Sequence, residues 1–318
     1  MLAISKQRRR FSLQKISQFF RVDKPLLIGL LSLVCIGLII LYSASNQNLV
    51  IIGKQAMRMI IAFSAMLMLA QISPSVYRAW APWVFIFSFG LLLAVLILGV
   101  VGKGAQRWLN LGVLQFQPSE LMKIAVPMMV AWYFAKREAS LRWSDYLVGA
   151  LLVLVPVGLV MKQPDLGTAL LILASGFYVL FLAGLSWKIL VGGAVSAAVM
   201  APIFWSLLHD YQRKRIEILL DPSQDPLGAG YHTIQAGIAL GSGGFAGKGW
   251  LNGTQSQLDF IPERTTDFIF AVFGEEFGLL GNVLLIIMFG LLISRGLVIA
   301  SQAGNTFTRL LAGSITLT

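Results

Sequence analysis

Residues 25–43 read PLLIGLLSLVCIGLIILYS, a run without a single charge. A helix of that length covers roughly 28 Å, close to the hydrocarbon thickness of a bilayer. Upstream stand Lys6, Arg8, Arg9, Arg10, Lys15, Arg21 and Lys24 against Asp23 alone. A basic start before an apolar run resembles a secretory signal. This run outlasts a cleavable h-region and further spans follow it, so it reads as an uncleaved signal anchor. Phe11, Leu13, Ile16, Phe19 and Phe20, set among the cations, fit either a short helix on the membrane surface or a disordered basic tail.

The same composition recurs along the chain. Spans are expected near 25–43, 57–72, 80–101, 121–135, 146–161, 168–186, 188–208 and 268–293, and a ninth begins near Arg309. The chain is 57% apolar and 12% charged, about half the charged share of an ordinary globular protein. These values exclude disordered, collagen-like and disulfide-stapled classes. Cys35 is the single cysteine, so neither an internal disulfide nor a CxxC metal site can form. With only His209 and His232, a histidine-rich metal cage is improbable. The expected fold is all-α and polytopic: one transmembrane domain over 1–318, a basic tail over 1–24, and one large loop over 209–267 between the seventh and eighth spans.

The net charge of +11 raises the question of nucleic acid. With the N-terminus in the cytoplasm, alternation places on that side the seven tail cations, Arg78, Lys136, Arg137, Arg142, Lys188, Arg295 and Arg309. The acids there are Asp23, Glu138 and Asp145, so these segments carry the whole excess and the others sum to zero. That is the positive-inside pattern, and it accounts for the charge without nucleic acid. It also sets 102–120, 162–167 and 209–267 on the outer face.

Those three regions hold the chemistry. Arg107-Trp108 precedes Gln117-Pro118-Ser119-Glu120-Leu121-Met122-Lys123. Pro118 suits a helix start, and Glu120 and Lys123 share one helix face, where they can simply pair at the membrane edge. Trp108 can equally be an interfacial belt residue. In Lys162-Gln163-Pro164-Asp165-Leu166-Gly167-Thr168, Asp165 either caps the following helix or faces a substrate cavity.

The 209–267 loop opens with Arg213, Lys214 and Arg215 and turns at Asp221-Pro222 and Asp225-Pro226-Leu227-Gly228. Residues 231–240 resemble a half-helix or re-entrant segment, ending in Gly241-Ser242-Gly243-Gly244. Those glycines lack the Walker A spacing and are read as turn and close-approach positions. The loop closes on Pro262-Glu263-Arg264-Thr265-Thr266-Asp267-Phe268 and runs into a span carrying Glu275 and Glu276. A carboxylate at Asp267, where water meets hydrocarbon, is partly desolvated and suits a general base, whereas a threonine N-cap with Asp267 in the first turn is the structural alternative. Glu275 and Glu276 serve function or structural pairing. Together the residues describe an outward-opening polar cavity with cations (Arg107, Lys123, Arg213, Arg215) and carboxylates (Asp165, Asp267). It suits a lipid phosphate entering sideways, or a transporter vestibule.

These motifs, in this order and spacing, resemble the SEDS family (shape, elongation, division and sporulation), in its rod-shape branch, RodA. Gln255-Ser256-Gln257-Leu258 and Pro262-Glu263-Arg264 are closer to the elongation branch than to the division branch, FtsW. The family usually carries His where this chain has Thr265, so no imidazole acts there. Its pattern continues through about ten spans, of which this sequence covers eight and the start of a ninth.

The resemblance implies a peptidoglycan glycosyltransferase that polymerises lipid II at the outer face of the cytoplasmic membrane. The acceptor's 4-hydroxyl would displace undecaprenyl pyrophosphate, turning an α link into a β-1,4 link by one inverting step with Asp267 as base. Arg58, Arg107, Lys123 and Arg215 would neutralise pyrophosphate, and a divalent cation (Mg or Mn) could share that task. Trp108, Glu120 and Asp165 would shape the cavity. The implied partners are a class B penicillin-binding protein and other elongation-complex membrane proteins. A lipid II flippase and a non-catalytic scaffold of the cell-wall machinery are the alternatives. No internal repeat between the halves favours the flippase.

Overall fold

The computed structural model describes residues 22–318 except 103, 104, 111–114, 209, 227, 259 and 262. The surface-helix reading of the basic tail therefore lies outside the described residues. The chain divides into two compact units, one comprising 22–71 with 195–292 and the other 72–194 with 293–318.

In the first unit, helix α1 (Lys24–Ala44) starts where Asp23 Oδ1 accepts the Leu26 amide at 3.0 Å, with Pro25 in its first turn. It ends in a tight turn through Asn46 and Gln47, both at positive φ. Asn48 then caps α2 (Leu49–Ala70) by accepting amide bonds from Val50 and Ile51. Helix α2 begins eight residues before the expected span, because Asn48 fixes its start. Leu49-Val50-Ile51-Ile52 is apolar as well, but Lys54, Gln55 and Arg58 separate it from the uncharged run that follows.

Helix α7 (Trp187–Leu207) brings the chain back to the first unit, where the expected outer loop is largely helical: α8 (Asp210–Leu220), α9 (Ala229–Ser242) and the short α10 (Thr254–Gln257). Asp221 makes the turn after α8. It accepts from the Ser223 hydroxyl, the Gln224 amide and the Ser223 backbone, bonds that hold its carboxyl below the ordinary carboxylate range.

Helix α11 (Ile269–Ser301) packs on α1 through Ile40, Ala44, Val272 and Phe273, and on α9 through Ala236, Ala239 and Ala271. It breaks at Gly278, where φ is 62° and ψ is −160°. A break inside a span frees backbone groups that lipid cannot satisfy. Here the glycine-rich segment satisfies them. Lys248 and Gly249 amides donate to the Glu275 and Glu276 carbonyls at 3.0 Å, and the Leu279 and Leu280 amides donate to Gly244 and Phe245. A Cβ on Gly278 would lie 2.3 Å from the Gly247 nitrogen, so only glycine permits the two strands of backbone to meet.

The second unit packs α3 (Pro74–Leu98), α4 (Pro118–Lys136), α5 (Trp143–Lys162), α6 (Leu166–Leu182) and α12 (Thr306–Leu317). Leu92, Met122, Phe134, Ile172 and Leu310 are wholly or almost wholly buried in its core. Ser314 donates to the Ser175 carbonyl at 2.7 Å and Gln163 to the Leu92 carbonyl at 3.0 Å, so polar bonds also tie its helices.

The stretch expected as an outer loop before α4 contains short antiparallel strands, β1 (Val100–Gly102), β2 (Ala105–Asn110) and β3 (Gln115–Phe116), paired in that order. The third span accordingly stops at Leu98, where Val100 and Val101 turn to pair with β2. α1, α2, α3, α5 and α11 are each long and apolar enough to cross a membrane, and α6 and the Trp187–Ile203 stretch of α7 are shorter apolar segments. Exposed side chains such as Ile60, Ile61, Met68, Trp83 and Ile97 are suited to lipid. The chain is a multi-pass α-helical membrane protein.

Candidate functional site

Asp267 lies in the turn 263–268 just before α11 and is exposed. The expected threonine cap does not form. The helix begins at Ile269, and Thr266 donates its hydroxyl to Glu263, to Oε2 at 3.0 Å and the carbonyl at 3.4 Å. Arg264 Nε donates to the Ala44 carbonyl at 2.7 Å, so this turn is tied to the end of α1. Among the described residues no hydrogen bond or ion pair engages the Asp267 carboxylate, which leaves both oxygens available to a substrate proton.

Thr265 and Thr266 open onto a cavity of about 790 Å³ between α1 and α2. Its apolar wall includes Leu30, Val34, Leu38 and Leu41 from one helix and Met59, Phe63 and Met66 from the other. From Leu41 to Leu30 is roughly 16 Å along α1. Its polar lining comes from Lys54, Gln55 and Arg58 in the first three turns of α2 and from the two threonines. Arg58 touches Gln55 Oε1 at 3.4 Å, and among the described residues neither Arg58 nor Lys54 is paired with a carboxylate. An apolar trough with unneutralised cations at one part of its wall matches an anionic head on a long hydrocarbon chain. Lys54 was missed in the sequence because it stands alone within a helix turn. Its spacing of four from Arg58 is the signal that places both on one face.

The other expected cations are differently engaged. Arg213 donates to the Trp205 and Ser206 carbonyls at 2.9 and 2.7 Å, capping the end of α7. Arg215 lies on α8, and its side chain is outside what the structure describes. In the second unit, Arg107 on β2 donates to the Pro164 carbonyl and stands 3.7 Å from Asp165 Oδ2. Asp165 also accepts from Gln117 at 3.0 Å and caps α6 through the Thr168 amide at 3.2 Å. The capping alternative therefore holds for Asp165, with an ion pair added. Trp108, next along β2, is half-buried. Lys123 and Glu120 pair at 2.8 Å on one face of α4.

Glu275 and Glu276 are buried. Glu275 Oε1 receives Lys248 Nζ at 2.7 Å and the Thr254 hydroxyl and Gln255 amide at 3.0 Å, an anchor for the loop that crosses the break in α11. Glu276 Oε1 accepts the Ser43 hydroxyl, while among the described residues its Oε2 has no hydrogen-bond partner. Among the described residues no three His, Cys, Asp or Glu side chains converge. The described residues therefore build no all-protein cage for a divalent cation.

Residues 22–318 match the FtsW/RodA/SpoVE family, described as cell cycle protein. The chain is 48% identical over 297 residues to the peptidoglycan glycosyltransferase MrdB of Escherichia coli (strain K12), covering 93% of this chain and 80% of that one. To the probable peptidoglycan glycosyltransferase FtsW of Geobacter sp. (strain M18) it is 35% identical over 305 residues, covering 92% and 83%. Among solved structures it resembles a chain described under the structural coordination of polymerization and crosslinking by a peptidoglycan synthase complex. That likeness has a TM-score of 0.77 at 32% identity, over 93% of this chain and 83% of that chain. The rod shape determining protein RodA of Thermus thermophilus is similar with a TM-score of 0.67 at 28% identity, covering 93% and 80%.

Proposed function

The chain belongs to the FtsW/RodA/SpoVE cell cycle protein family, and from that premise we propose that it is a peptidoglycan glycosyltransferase polymerising lipid II at the outer face of the cytoplasmic membrane. The observation that carries this reading is the cavity between α1 and α2. It offers an apolar trough for a polyprenyl chain, two cations for its pyrophosphate, and an opening beside the turn that bears Asp267. In this reading Asp267 takes the proton from the acceptor's 4-hydroxyl as its oxygen attacks the anomeric carbon of the donor. The anomeric bond to pyrophosphate breaks on the opposite face, and Lys54 and Arg58 stabilise the charge that develops on the leaving group. The anomeric centre inverts in one step.

The family resemblance adds Arg107, Trp108, Glu120, Lys123 and Asp165, and Arg215 on α8. We assign Asp165 a positioning role, because its oxygens are already held by Arg107, Gln117 and the α6 amide. The N-terminus is placed in the cytoplasm. Besides the charge pattern, this is supported by one polar hollow that gathers Arg78, Glu138 and Arg309 at a single end of the second unit. The partner is a class B penicillin-binding protein that crosslinks the strands. The likeness to a chain of a polymerising and crosslinking synthase complex supports it.

The test is polymerisation of lipid II by the purified chain with its class B partner, both as given and extended to the length of its relatives. Glycan ladders that disappear with Asp267→Asn support the reading. A folded, partnered, extended protein that moves labelled lipid II across liposomes and makes no glycan would overturn it in favour of a flippase.

A further inference from the structure

Among the described residues four that are not glycine have positive φ, and three of them line one small hollow in the first unit. Asn46 (φ 51°), Gln47 (62°) and Leu251 (65°) surround about 220 Å³ together with Ser43 and Gln257. Left-handed backbone is tolerated by Asn but costs a residue such as Leu on the order of 1 kcal/mol or more. Such strain persists only where surroundings impose it, and it gathers where ligands bind. Both segments here are held from behind. Gln257 Nε2 donates to the Leu251 carbonyl, and Ser43 donates to the buried carboxylate of Glu276. Trp250 lies against Tyr42 with ring centroids 5.9 Å apart, so an aromatic pair flanks both segments.

The lining is polar and carries no charged side chain: one hydroxyl and three carboxamides, with the Leu251 segment between them. Ser43 and Gln257 each have a proton engaged elsewhere, so their oxygens remain as acceptors. Asn46 and Gln47 supply donors as well. The complement is a neutral ligand with N–H, C=O and hydroxyl groups. The volume falls below the roughly 300–1,000 Å³ of drug-sized sites, which limits the occupant to about one ring with its substituent.

We propose that this hollow is the subsite for an N-acetylated hexosyl ring, that of the acceptor strand bearing the attacking hydroxyl. The assignment rests on the glycosyltransferase reading above. The acceptor fits better than the donor because the donor's reacting ring carries pyrophosphate, and the cations that meet it line the other cavity. The tie between Arg264 and Ala44 fixes the Asp267 turn to the segment that runs on into the hollow at Asn46 and Gln47. The lipid cavity uses Leu41, Thr265 and Thr266. The hollow uses Ser43, Asn46 and Gln47. Both are thus built on the end of α1.

The test measures binding of chitotetraose and of cellotetraose, which lacks the acetamido group, to the whole chain in nanodiscs by saturation-transfer NMR. Chitotetraose is expected to show saturation of its acetyl methyls, and cellotetraose none. Gln257→Ala and Asn46→Gly should each weaken binding about tenfold, the loss of one good hydrogen bond. Asn46→Gly keeps the left-handed backbone and removes only the side chain, so it stays folded. Asp267→Asn should bind chitotetraose normally while making no glycan. Equal binding of the two sugars, or unchanged binding by folded Asn46→Gly, would overturn the subsite. A subsite that fails while lipid II is still polymerised leaves the enzyme reading standing. Chitotetraose binding without any polymerisation by the partnered, extended chain would remove the enzyme reading instead.

Discussion

Ser43, in the last turn of α1, gives its hydroxyl proton to Glu276 Oε1 in α11, across 233 residues of sequence. Both side chains are buried. This bond joins the segment leading to the α1–α2 turn, where Ser43 lines the small hollow, with the stretch just before the break in α11. Replacing Ser43 by Ala takes one donor from the buried Glu276 carboxylate and leaves it the Leu251 amide. A loss of about 1–3 kcal/mol is expected, read as a lowered thermal midpoint in detergent. An unchanged midpoint would show that the bond does not contribute.

Asp267→Asn should lower the polymerisation rate by about 10²–10⁴, the usual contribution of a positioned base, with lipid II binding and the thermal midpoint unchanged. A variant that polymerises at the parent rate removes Asp267 from the mechanism and leaves the enzyme class intact.

Arg58→Ala and Lys54→Ala each remove one charge facing the lipid cavity. Either should raise the KM for lipid II by roughly tenfold, corresponding to about 1.5 kcal/mol for a charge-assisted bond. The double variant should go further. Steady-state kinetics at two ionic strengths would check this, since added salt should shrink the difference between parent and variant. Equal KM values would mean that the headgroup lies elsewhere.

Lys248→Met removes the cation from buried Glu275, whose Oε1 would keep Thr254 and the Gln255 amide. Breaking a buried pair from one side costs about 3–5 kcal/mol. The partial exposure of Lys248 and the two remaining bonds place the expected loss at the lower end. Proteolysis of the 244–257 segment in the folded protein should quicken along with the fall in thermal midpoint.

Gly278→Ala places a Cβ 2.3 Å from the Gly247 nitrogen at a left-handed φ. A loss of more than about 1 kcal/mol is expected, together with slower glycan synthesis, because this break holds the loop that carries Trp250 and Leu251. Gly290, in the same helix, has open space where its Cβ would go. Gly290→Ala should therefore be neutral or slightly stabilising and serves as the comparison.

The span pattern was legible in the sequence because lipid imposes a length and an apolarity on each crossing. Residues 25–43 announce α1 for that reason. Where polar residues interrupt a span the reading failed: α2 starts at Asn48's cap, and Lys54, Gln55 and Arg58 divide its apolar first turn from the longer run. The strands at 100–116 were missed because a short hairpin between spans leaves no long periodicity. The motif residues Asp165 and Glu275 stood out as charges at membrane edges or within a span, but sequence could not separate a structural pair from a reactive group. The structure adds which of them have partners. Asp165 is held by Arg107 and Gln117, Glu275 by Lys248, and Asp267 by none among the described residues.

The sequence alone determined the solvent of the chain, its α-helical membrane class, the uneven distribution of its charge and the family motifs, because each depends on local composition or spacing. Only the tertiary structure decided that Lys54 and Arg58 share a cavity with Thr265 and Thr266, that glycine-rich 244–249 satisfies the broken backbone of α11, and that Ser43 meets Glu276. Those relationships join residues some two hundred positions apart or pair free backbone groups. Packing sets them, and no local pattern records packing.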